Sequence, residues 1–200
     1  MMILLIFITP IIVIFTFAVG FLYLYPGIGH TPTKADMARY GAVTDRVIDG
    51  VFTNLRDIHT NMLEQTAPSD RRKPTDAIPV EKIASVENAE SGQLNVYWLG
   101  HSSSLVQLGD KNILIDPVLT EFASPVGFAG VKRFSDIAIS PEELPTIDIL
   151  LLSHDHYDHL DYRTVMKIKD SVGMFVVPLG VETYLSGWGI PGEKITVMSW

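Results

Sequence analysis

One stretch decides the fold of this chain: Ser153-His154-Asp155-His156-Tyr157-Asp158-His159-Leu160-Asp161. It directly follows the apolar run 147–152, which has the length and composition of a buried strand. Three imidazoles and several carboxylates therefore begin where a strand ends. Asp161 suits the N-cap of a helix that we expect over residues 162–169. The stretch thus predicts a strand, a polar loop and a helix in succession.

The polar loop has the residue types of a metal centre. Neutral imidazole and carboxylate bind Zn²⁺ where thiolate is absent, and this chain has no cysteine. If the loop is extended, His154, His156 and Asp158 project to one side, and His159 breaks that parity. A two-metal site needs ligands around centres about 3.5–4 Å apart. We expect the His154/His156 pair to suit one ion and the Asp158/His159 pair its neighbour. The alternative is a polar loop whose histidines lie in solvent.

Length and composition limit the class of protein. The 200 residues suffice for one domain, or for an anchor plus one domain. Hydrophobic residues make up 47% of the chain, which is enough to fill a core and excludes global disorder. A net charge of −8 argues against a broad nucleic-acid surface, since such a surface needs clustered cations.

The N-terminal segment has the composition of a membrane anchor. No charged side chain occurs in residues 1–33, and residues 2–25 are almost wholly apolar. At about 1.5 Å per residue, a helix of that length would span a hydrocarbon core of roughly 30 Å. We therefore predict a transmembrane helix over residues 1–26, with a cleaved signal peptide or a buried core helix as alternatives. Lys34, Arg39 and Arg46 follow this segment, so a single-pass membrane protein with a cytoplasmic catalytic domain is favoured.

The rest of the chain divides into an extension and a domain. Residues 27–90 are predicted to be a linker or N-terminal extension, with the exposed basic triplet 71–73 and two surface histidines, His30 and His59. Residues 91–200 form the predicted domain. Its strand candidates are 94–99, 104–108, 112–115, 147–152, 174–178 and 194–199, with a short helix at 181–188. This pattern predicts an α/β fold in which a sheet packs under helices.

Two polar residues stand at other predicted strand ends. Asp116 directly follows Ile115, where a carboxylate suits either a hydrogen-bond partner for a ligating histidine or the start of an Asp-Pro turn. His101 stands at a similar position, between the first two strand candidates. On local grounds His101 is predicted to be a structural histidine rather than a ligand.

The interval 117–146 shows no persuasive periodic element. Connections this long are uncommon in compact domains and often form lids or binding loops. It carries Phe122, Phe128 and Phe134 beside Lys132 and Arg133, and this mixture would suit a substrate with acyl chains and a phosphate. An irregular flap packed for its own stability is the alternative.

Several motifs together resemble one enzyme family. The nine residues 153–161 resemble the H-x-H-x-D-H signature of the metallo-β-lactamase superfamily. Further segments resemble its N-acylphosphatidylethanolamine-hydrolysing phospholipase D group: Trp98-Leu99-Gly100-His101-Ser102-Ser103, Ile115-Asp116-Pro117, Ala123-Ser124-Pro125, Lys132-Arg133-Phe134, Glu143-Leu144-Pro145 with Ile147-Asp148, and Val177-Pro178-Leu179-Gly180. The resemblance covers residues 94–200.

The resemblance implies a fold and a chemistry. The fold would be an αβ/βα sandwich, of which this chain carries the N-terminal half, with a dinuclear zinc centre that hydrolyses a phosphodiester in a phospholipid. His154 and His156 would hold one zinc, and Asp158 and His159 the other. Asp116 would be the carboxylate that orients a ligand of the metal. Asp116 and Asp158 are the two carboxylates predicted to be catalytic. Lys132 and Arg133 match the group's pattern and are predicted to bind substrate. The resemblance also implies a homodimer.

One departure from the family concerns the remaining ligands. The family's third histidine, bridging aspartate and last histidine lie beyond residue 200, so we expect open, weak sites and little activity from this chain alone. There are two alternative hypotheses. The chain could belong to a metallo-β-lactamase-fold hydrolase of a lactone or sugar-phosphate, or to a non-catalytic membrane protein.

Overall fold

A computed structural model describes residues 2–29, 31–56, 74–87, 89–90 and 92–199. The predictions for His30, His59 and the basic triplet 71–73 lie outside these described residues.

The N-terminal part contains two helices and a small hairpin. Helix α1 spans Met2–Leu24 with Pro10 inside it, and a 3-10 turn follows at Pro26–Ile28. Helix α2 spans Lys34–Gly41. It begins with a capping box in which Thr33 and Asp36 each accept a hydrogen bond from the other's backbone amide. Strands β1 (Val47–Ile48) and β2 (Val51–Phe52) pair antiparallel.

Helix α1 lies within the segment 1–26 that was predicted to be a membrane anchor. From Ile8 onward most of its large apolar side chains are exposed, and Pro10 removes one backbone donor from the helix. Within the stretches that the structure describes, no helix combines the length and the apolarity needed to cross a membrane.

A six-stranded mixed sheet forms the centre of the domain, and it confirms the predicted α/β arrangement. Its strands are β3 (Leu94–Gly100), β4 (Ser103–Leu108), β5 (Lys111–Ile115), β8 (Ile147–Leu151), β9 (Val172–Pro178) and β10 (Ile195–Met198). Their spatial order is β10-β9-β8-β5-β4-β3. Strands β3, β4 and β5 form an antiparallel meander, whereas β5, β8, β9 and β10 pair parallel.

The connections carry the remaining elements. Strands β6 (Phe122–Ala123) and β7 (Val131–Lys132) form a small hairpin in the interval predicted to lack regular structure. Helix α3 spans Tyr162–Ile168 and helix α4 spans Glu182–Gly187, close to the predicted positions. Short 3-10 turns lie at Pro141–Glu143, Lys169–Ser171 and Gly192–Lys194.

One face of the sheet forms the core. Leu105, Leu114, Leu150 and Phe175 are neighbours across β4, β5, β8 and β9, and all four are fully buried. They belong to one hydrophobic cluster with residues of α3 and α4, among them Val165, Ile168 and Leu185. Burying each such side chain stabilises the fold by about 1.5–3 kcal/mol relative to exposure. The two helices therefore cover this face.

The opposite face of the sheet is apolar but less covered. Val96, Val106, Ile113, Ile149 and Met174 are neighbours across five strands on that face. Val96 and Met174 at its two sides are exposed, and the three residues between them are partly buried. The domain thus has one sealed face and one open apolar face.

The direction of the strands brings distant segments together. Because β3 and β5 are both antiparallel to β4, and β5 is parallel to β8, the C-terminal ends of β3, β5 and β8 lie at one edge of the sheet. His101 follows β3, Asp116 follows β5 and the histidine-rich loop follows β8. That edge carries the candidate site.

Candidate metal centre

The histidine-rich loop after β8 turns sharply instead of continuing as a strand. Residues 155–159 form bends and turns, and the amides of His159 and Leu160 both donate to the carbonyl of His156, at 2.9 and 2.7 Å. The side-chain parity expected for an extended loop therefore does not apply. The turn itself brings the histidines together, since the ring centroids of His154 and His159 lie 4.0 Å apart. His156 lies beside them, 4.6 Å from His154.

Asp161 closes the loop and starts helix α3. Its side chain accepts a hydrogen bond from the Arg163 amide at 3.2 Å, which confirms the predicted N-cap. Its second oxygen accepts from the hydroxyls of Thr120 and Thr164, at 2.7 and 2.6 Å. Because Asp161 and Thr164 are buried, these bonds also fix the segment after β5 against α3.

Asp116 lies at the inner side of the site. Its carboxylate accepts hydrogen bonds from the amide and the hydroxyl of Ser153, each at 2.7 Å, and lies 2.9 Å from Nδ1 of His159. Its backbone has a positive φ of 42°, a conformation that costs energy in a residue other than glycine and is concentrated at functional sites. A carboxylate on Nδ1 leaves Nε2 of His159 for a ligand, as expected for a partner that orients a metal-binding histidine.

His154 and His156 stand next to this pair. Burial, reinforced by the nearby imidazoles of His159 and His156, lowers the pKa of His154 below its usual value. Its imidazole is therefore neutral near pH 7, the form that binds metal ions. Nδ1 of His154 lies 2.9 Å from the hydroxyl of Ser153, so the same serine contacts both Asp116 and the first histidine of the loop.

His101, predicted from the sequence to be structural, contacts two of the candidate metal ligands, Asp158 and His159. Its Nε2 lies 2.9 Å from Oδ2 of Asp158, and its ring stands edge-on to that of His159 with centroids 5.5 Å apart. Within the described part of the chain, His101, Asp158 and His159 form the one group of three donors whose ligand atoms all lie within 4.8 Å of one another. Its position at a strand end, like that of Asp116, was the sequence signal for this role.

The residues present fit zinc or a similar divalent ion. Tetrahedral Zn²⁺ with bonds of about 2.0–2.2 Å places its ligand atoms about 3.4 Å from one another. The oxygen of Asp158 lies 3.9 Å from Nε2 of His159, which is close to that separation. The donor set consists of imidazole and carboxylate, the groups that zinc accepts without thiolate.

A groove of about 1260 Å³ opens beside the metal ligands. One wall is the extended segment 78–85, whose Ile78 and Ile83 amides donate to the carbonyls of Phe134 and Ala138, at 2.6 and 2.9 Å. The others are the end of β3, the segment 131–135 and the loop residues 155–158. Its lining is mostly apolar, including Val80, Trp98 and Phe134, with His156 and Asp158 at the metal end.

The two cations predicted to bind substrate both line the groove but differ in their partners. Lys132 is exposed, and its ammonium lies 2.7 Å from Glu121, which raises its pKa. The Arg133 guanidinium is partly buried and donates to the carbonyls of Val118 and Leu99. Lys132 thus has one exposed side-chain partner, whereas Arg133 braces two backbone segments. The substrate-binding assignment of both residues stays a prediction.

An aromatic cluster joins the loop to the segment that follows α1. Tyr184 lines the groove and donates to Asp155 at 3.1 Å; burial and the charge of Asp155 raise the pKa of Tyr184 to about 12. Trp188 packs edge-on against Tyr184 and Tyr162, and its indole N–H donates to the carbonyl of Pro26 at 2.9 Å. The 3-10 turn after α1 is therefore docked on the same side of the domain as the metal loop.

This chain is similar in sequence to metal-dependent hydrolases. Residues 111–199 match the profile of the Beta-lactamase superfamily domain, which agrees with the mixed sheet and the position of the histidine-rich loop. An uncharacterized protein of Mycobacterium tuberculosis is 32% identical over 183 residues, covering 83% of this chain and 48% of that protein.

Two relatives have names that describe an activity. The N-acyl-phosphatidylethanolamine-hydrolyzing phospholipase D 1 of Caenorhabditis elegans is 35% identical over 166 residues, covering 74% of this chain and 46% of that enzyme. A UPF0173 metal-dependent hydrolase of Sulfurisphaera tokodaii is 32% identical over 100 residues, covering 49% of this chain and 39% of that protein. The chain spans about half the length of the first relatives it matches.

Proposed function

We propose that this chain forms part of a zinc-dependent hydrolase that cleaves the phosphodiester of an N-acylated phospholipid, releasing an N-acylethanolamine and phosphatidic acid. The proposal rests on one observation, which is that the candidate metal ligands lie next to the groove. A cluster of imidazoles and carboxylates lies beside a large, mostly apolar groove, and His101 and Asp158 belong to both. A ligand with a polar reacting group and apolar chains fits that arrangement. The name of the worm relative supports this choice of substrate.

In this proposal His154 and His156 hold one zinc ion, and Asp158 and His159 hold a second. Bound zinc supplies an activated water at neutral pH and stabilises negative charge on phosphoryl oxygens. Asp116 holds His159 by its Nδ1, which would leave Nε2 to bind the ion. The apolar groove walls exclude water from the acyl chains, and burial of each methylene contributes about 0.8 kcal/mol to binding.

Lys132 is the proposed contact for the phosphate. Its ammonium is exposed at the groove and is held by a single surface carboxylate, Glu121, so exchange of that partner for a phosphate costs little. Arg133, with two backbone partners, supports the groove wall from behind. We expect Lys132→Ala to raise KM more than it lowers kcat, because the contact between Lys132 and the phosphate forms before the reaction starts.

The ligand assignment is tested by zinc content. In the full-length protein we expect His154→Ala combined with His156→Ala to lose one zinc ion per chain, with hydrolysis of N-acylphosphatidylethanolamine falling in parallel. Asp110→Ala, in the exposed turn between β4 and β5, is the control and retains both. Unchanged zinc content with unchanged turnover in the double variant would refute the assignment.

The substrate is tested separately, by competition among substrate classes. Zinc-loaded protein is offered N-acylphosphatidylethanolamine in mixed micelles, a homoserine lactone and a sugar phosphate. Preference for the phospholipid supports the proposal. Preference for the lactone or the sugar phosphate keeps the metal chemistry and overturns the lipid substrate.

We also propose that the protein acts at a membrane, with its catalytic domain on the cytoplasmic side. Helix α1 carries exposed Phe15 and Phe17, and no charged residue precedes Lys34, so this segment offers an apolar surface next to the domain. Co-flotation with liposomes tests the idea: we expect the chain to float, and Phe15→Asp with Phe17→Asp to remain at the bottom. The homodimer implied by the resemblance stays a prediction.

A further inference from the structure

The turn between β3 and β4 has an unusual backbone. Gly100 and His101 both have positive φ, 102° and 47°, and the pairing of β3 with β4 is irregular between Trp98 and Gly100. Glycine adopts this conformation readily, but histidine does so at a cost. A costly conformation persists only where surrounding contacts hold it, so the contacts of this turn show what it is built to do.

Two hydrogen bonds hold the backbone of the turn. Arg133 donates to the carbonyl of Leu99 at 3.0 Å, and the same guanidinium also donates to Val118 after β5. The indole of Trp98 donates to the carbonyl of His101 at 2.8 Å. A Cβ at position 100 would lie 2.5 Å from the Arg133 Nη2 atom, so guanidinium and turn fit together closely. The turn is therefore braced by Arg133 and by Trp98.

On its front side the turn holds one residue of the metal loop at two points. Nε2 of His101 lies 2.9 Å from the carboxylate of Asp158. The hydroxyl of Ser102 donates to the backbone carbonyl of Asp158 at 3.0 Å. Two adjacent side chains thus fix both the position of the Asp158 backbone and the direction of its carboxylate.

From these contacts we infer that the turn Gly100–Ser102 is a positioning element for the Asp158 carboxylate, braced by Arg133, and that His101 acts on the metal through Asp158. This inference rests on the proposed function, since Asp158 is there a zinc ligand. The His101 nitrogen nearest the site is already engaged with the carboxylate oxygen, which favours this role over direct ligation. Partners of ligands in such a position typically change metal affinity 10- to 100-fold.

The test measures zinc affinity by competition with a chromophoric chelator, using the whole chain. We expect His101→Ala to weaken zinc binding about 10- to 100-fold, and Ser102→Ala to weaken it in the same direction by less. His101→Gln should restore most of the affinity, because its amide N–H reaches the place of Nε2 and can donate to the carboxylate.

The bracing is tested with a matched pair of glycines. Gly100→Ala places a methyl group against Arg133, whereas Gly109→Ala, also at positive φ in the turn between β4 and β5, meets nothing within 4 Å. Both variants strain their own turn, so both should lower the melting temperature. Only Gly100→Ala should also weaken zinc binding.

The outcomes separate three cases. Zinc affinity unchanged in His101→Ala and Ser102→Ala overturns the positioning role. Affinity as low in His101→Gln as in His101→Ala overturns it in favour of direct ligation by His101. Failure of the unmodified full-length protein to bind zinc at all overturns the proposed function itself, and is recognised because it affects every variant alike.

Discussion

The two sides of the candidate metal centre are built differently. On the inner side the His159 side chain is 19% exposed and lies against Asp116, which is 5% exposed and is also bonded twice to Ser153. On the outer side the His101 side chain is 61% exposed and lies against Asp158, which is 43% exposed at the groove. The inner side resembles a protein core, while the outer side resembles a binding surface.

This difference has a physical consequence for each side. Buried hydrogen bonds act in a low effective dielectric and cannot be replaced by water, so loss of one partner costs the full desolvation of the other. Exposed hydrogen bonds can be replaced by water at small cost. The inner side should therefore serve stability as well as ligand geometry, and the outer side should serve mainly ligand geometry and contact with substrate.

The largest expected effect is on the inner side. Asp116→Ala leaves the amide and hydroxyl of Ser153 and Nδ1 of His159 without their acceptor, so we expect a loss of about 3–5 kcal/mol in the free energy of unfolding. Urea denaturation measures it, with the exposed Asp110→Ala as control at about 0.5 kcal/mol or less. Equal losses in the two variants would contradict the distinction between the sides.

A second comparison uses the two histidines in zinc binding. We expect His159→Ala to weaken zinc binding by about 100-fold or more, beyond the loss in His101→Ala, because a ligand contributes more than the partner of a ligand. Isothermal titration of both variants against the unmodified chain gives the ratio. If His101→Ala has the larger effect, the outer side is the stronger metal site and the comparison is reversed.

A third comparison removes one hydroxyl from each side. Ser153→Ala deletes a bond to the buried Asp116 and should cost about 1 kcal/mol of stability. Ser102→Ala deletes a bond of similar length to the Asp158 carbonyl, and should cost about 0.5 kcal/mol or less because the Asp158 side chain is 43% exposed whereas that of Asp116 is 5% exposed. Thermal unfolding of the matched pair in one buffer tests this, and a greater loss in Ser102→Ala would be evidence against it.

The smallest effect concerns Tyr184 and appears only in alkaline solution. Its pKa is raised from 10.0 to about 12 in the folded chain, so above pH 10 the unfolded state loses a proton that the folded state keeps. Stability should therefore fall as pH rises through this window, and Tyr184→Phe should fall less steeply. Melting temperatures at pH 9, 10 and 11 show the difference in slope; parallel curves for both proteins would exclude the effect.

Local patterns in the sequence predicted the regular elements of the domain. Apolar runs of strand length located β3, β4, β5 and β8, and Asp161 located the start of α3. Thr33 and Asp36 form a capping box at α2 that is visible in the sequence, although residues 27–90 were predicted only as a linker or N-terminal extension. The hairpin of β6 and β7 was not predicted, because a strand of two residues is too short to show an alternating pattern.

Side-chain roles that depend on distant partners could not be read from the same patterns. His101 meets a residue 57 positions away, and only the order of the strands brings the two together. Arg133 was interpreted as a cation facing substrate, but its partners are the backbone carbonyls of Leu99 and Val118, which no residue type marks. The turn in the loop after β8 could not be predicted for a related reason. It is closed by backbone hydrogen bonds to His156, and such bonds do not depend on a recognisable residue type.

The mixed order of the central sheet also bears on how the chain folds. The meander of β3, β4 and β5 joins strands that are near in sequence, whereas the bond between Asp116 and His159 closes an interval of 43 residues. Closing a longer interval costs more chain entropy, and contacts of that kind tend to form late. We therefore expect the meander to appear early in refolding, and the ability to bind zinc to arrive only with the last cooperative step.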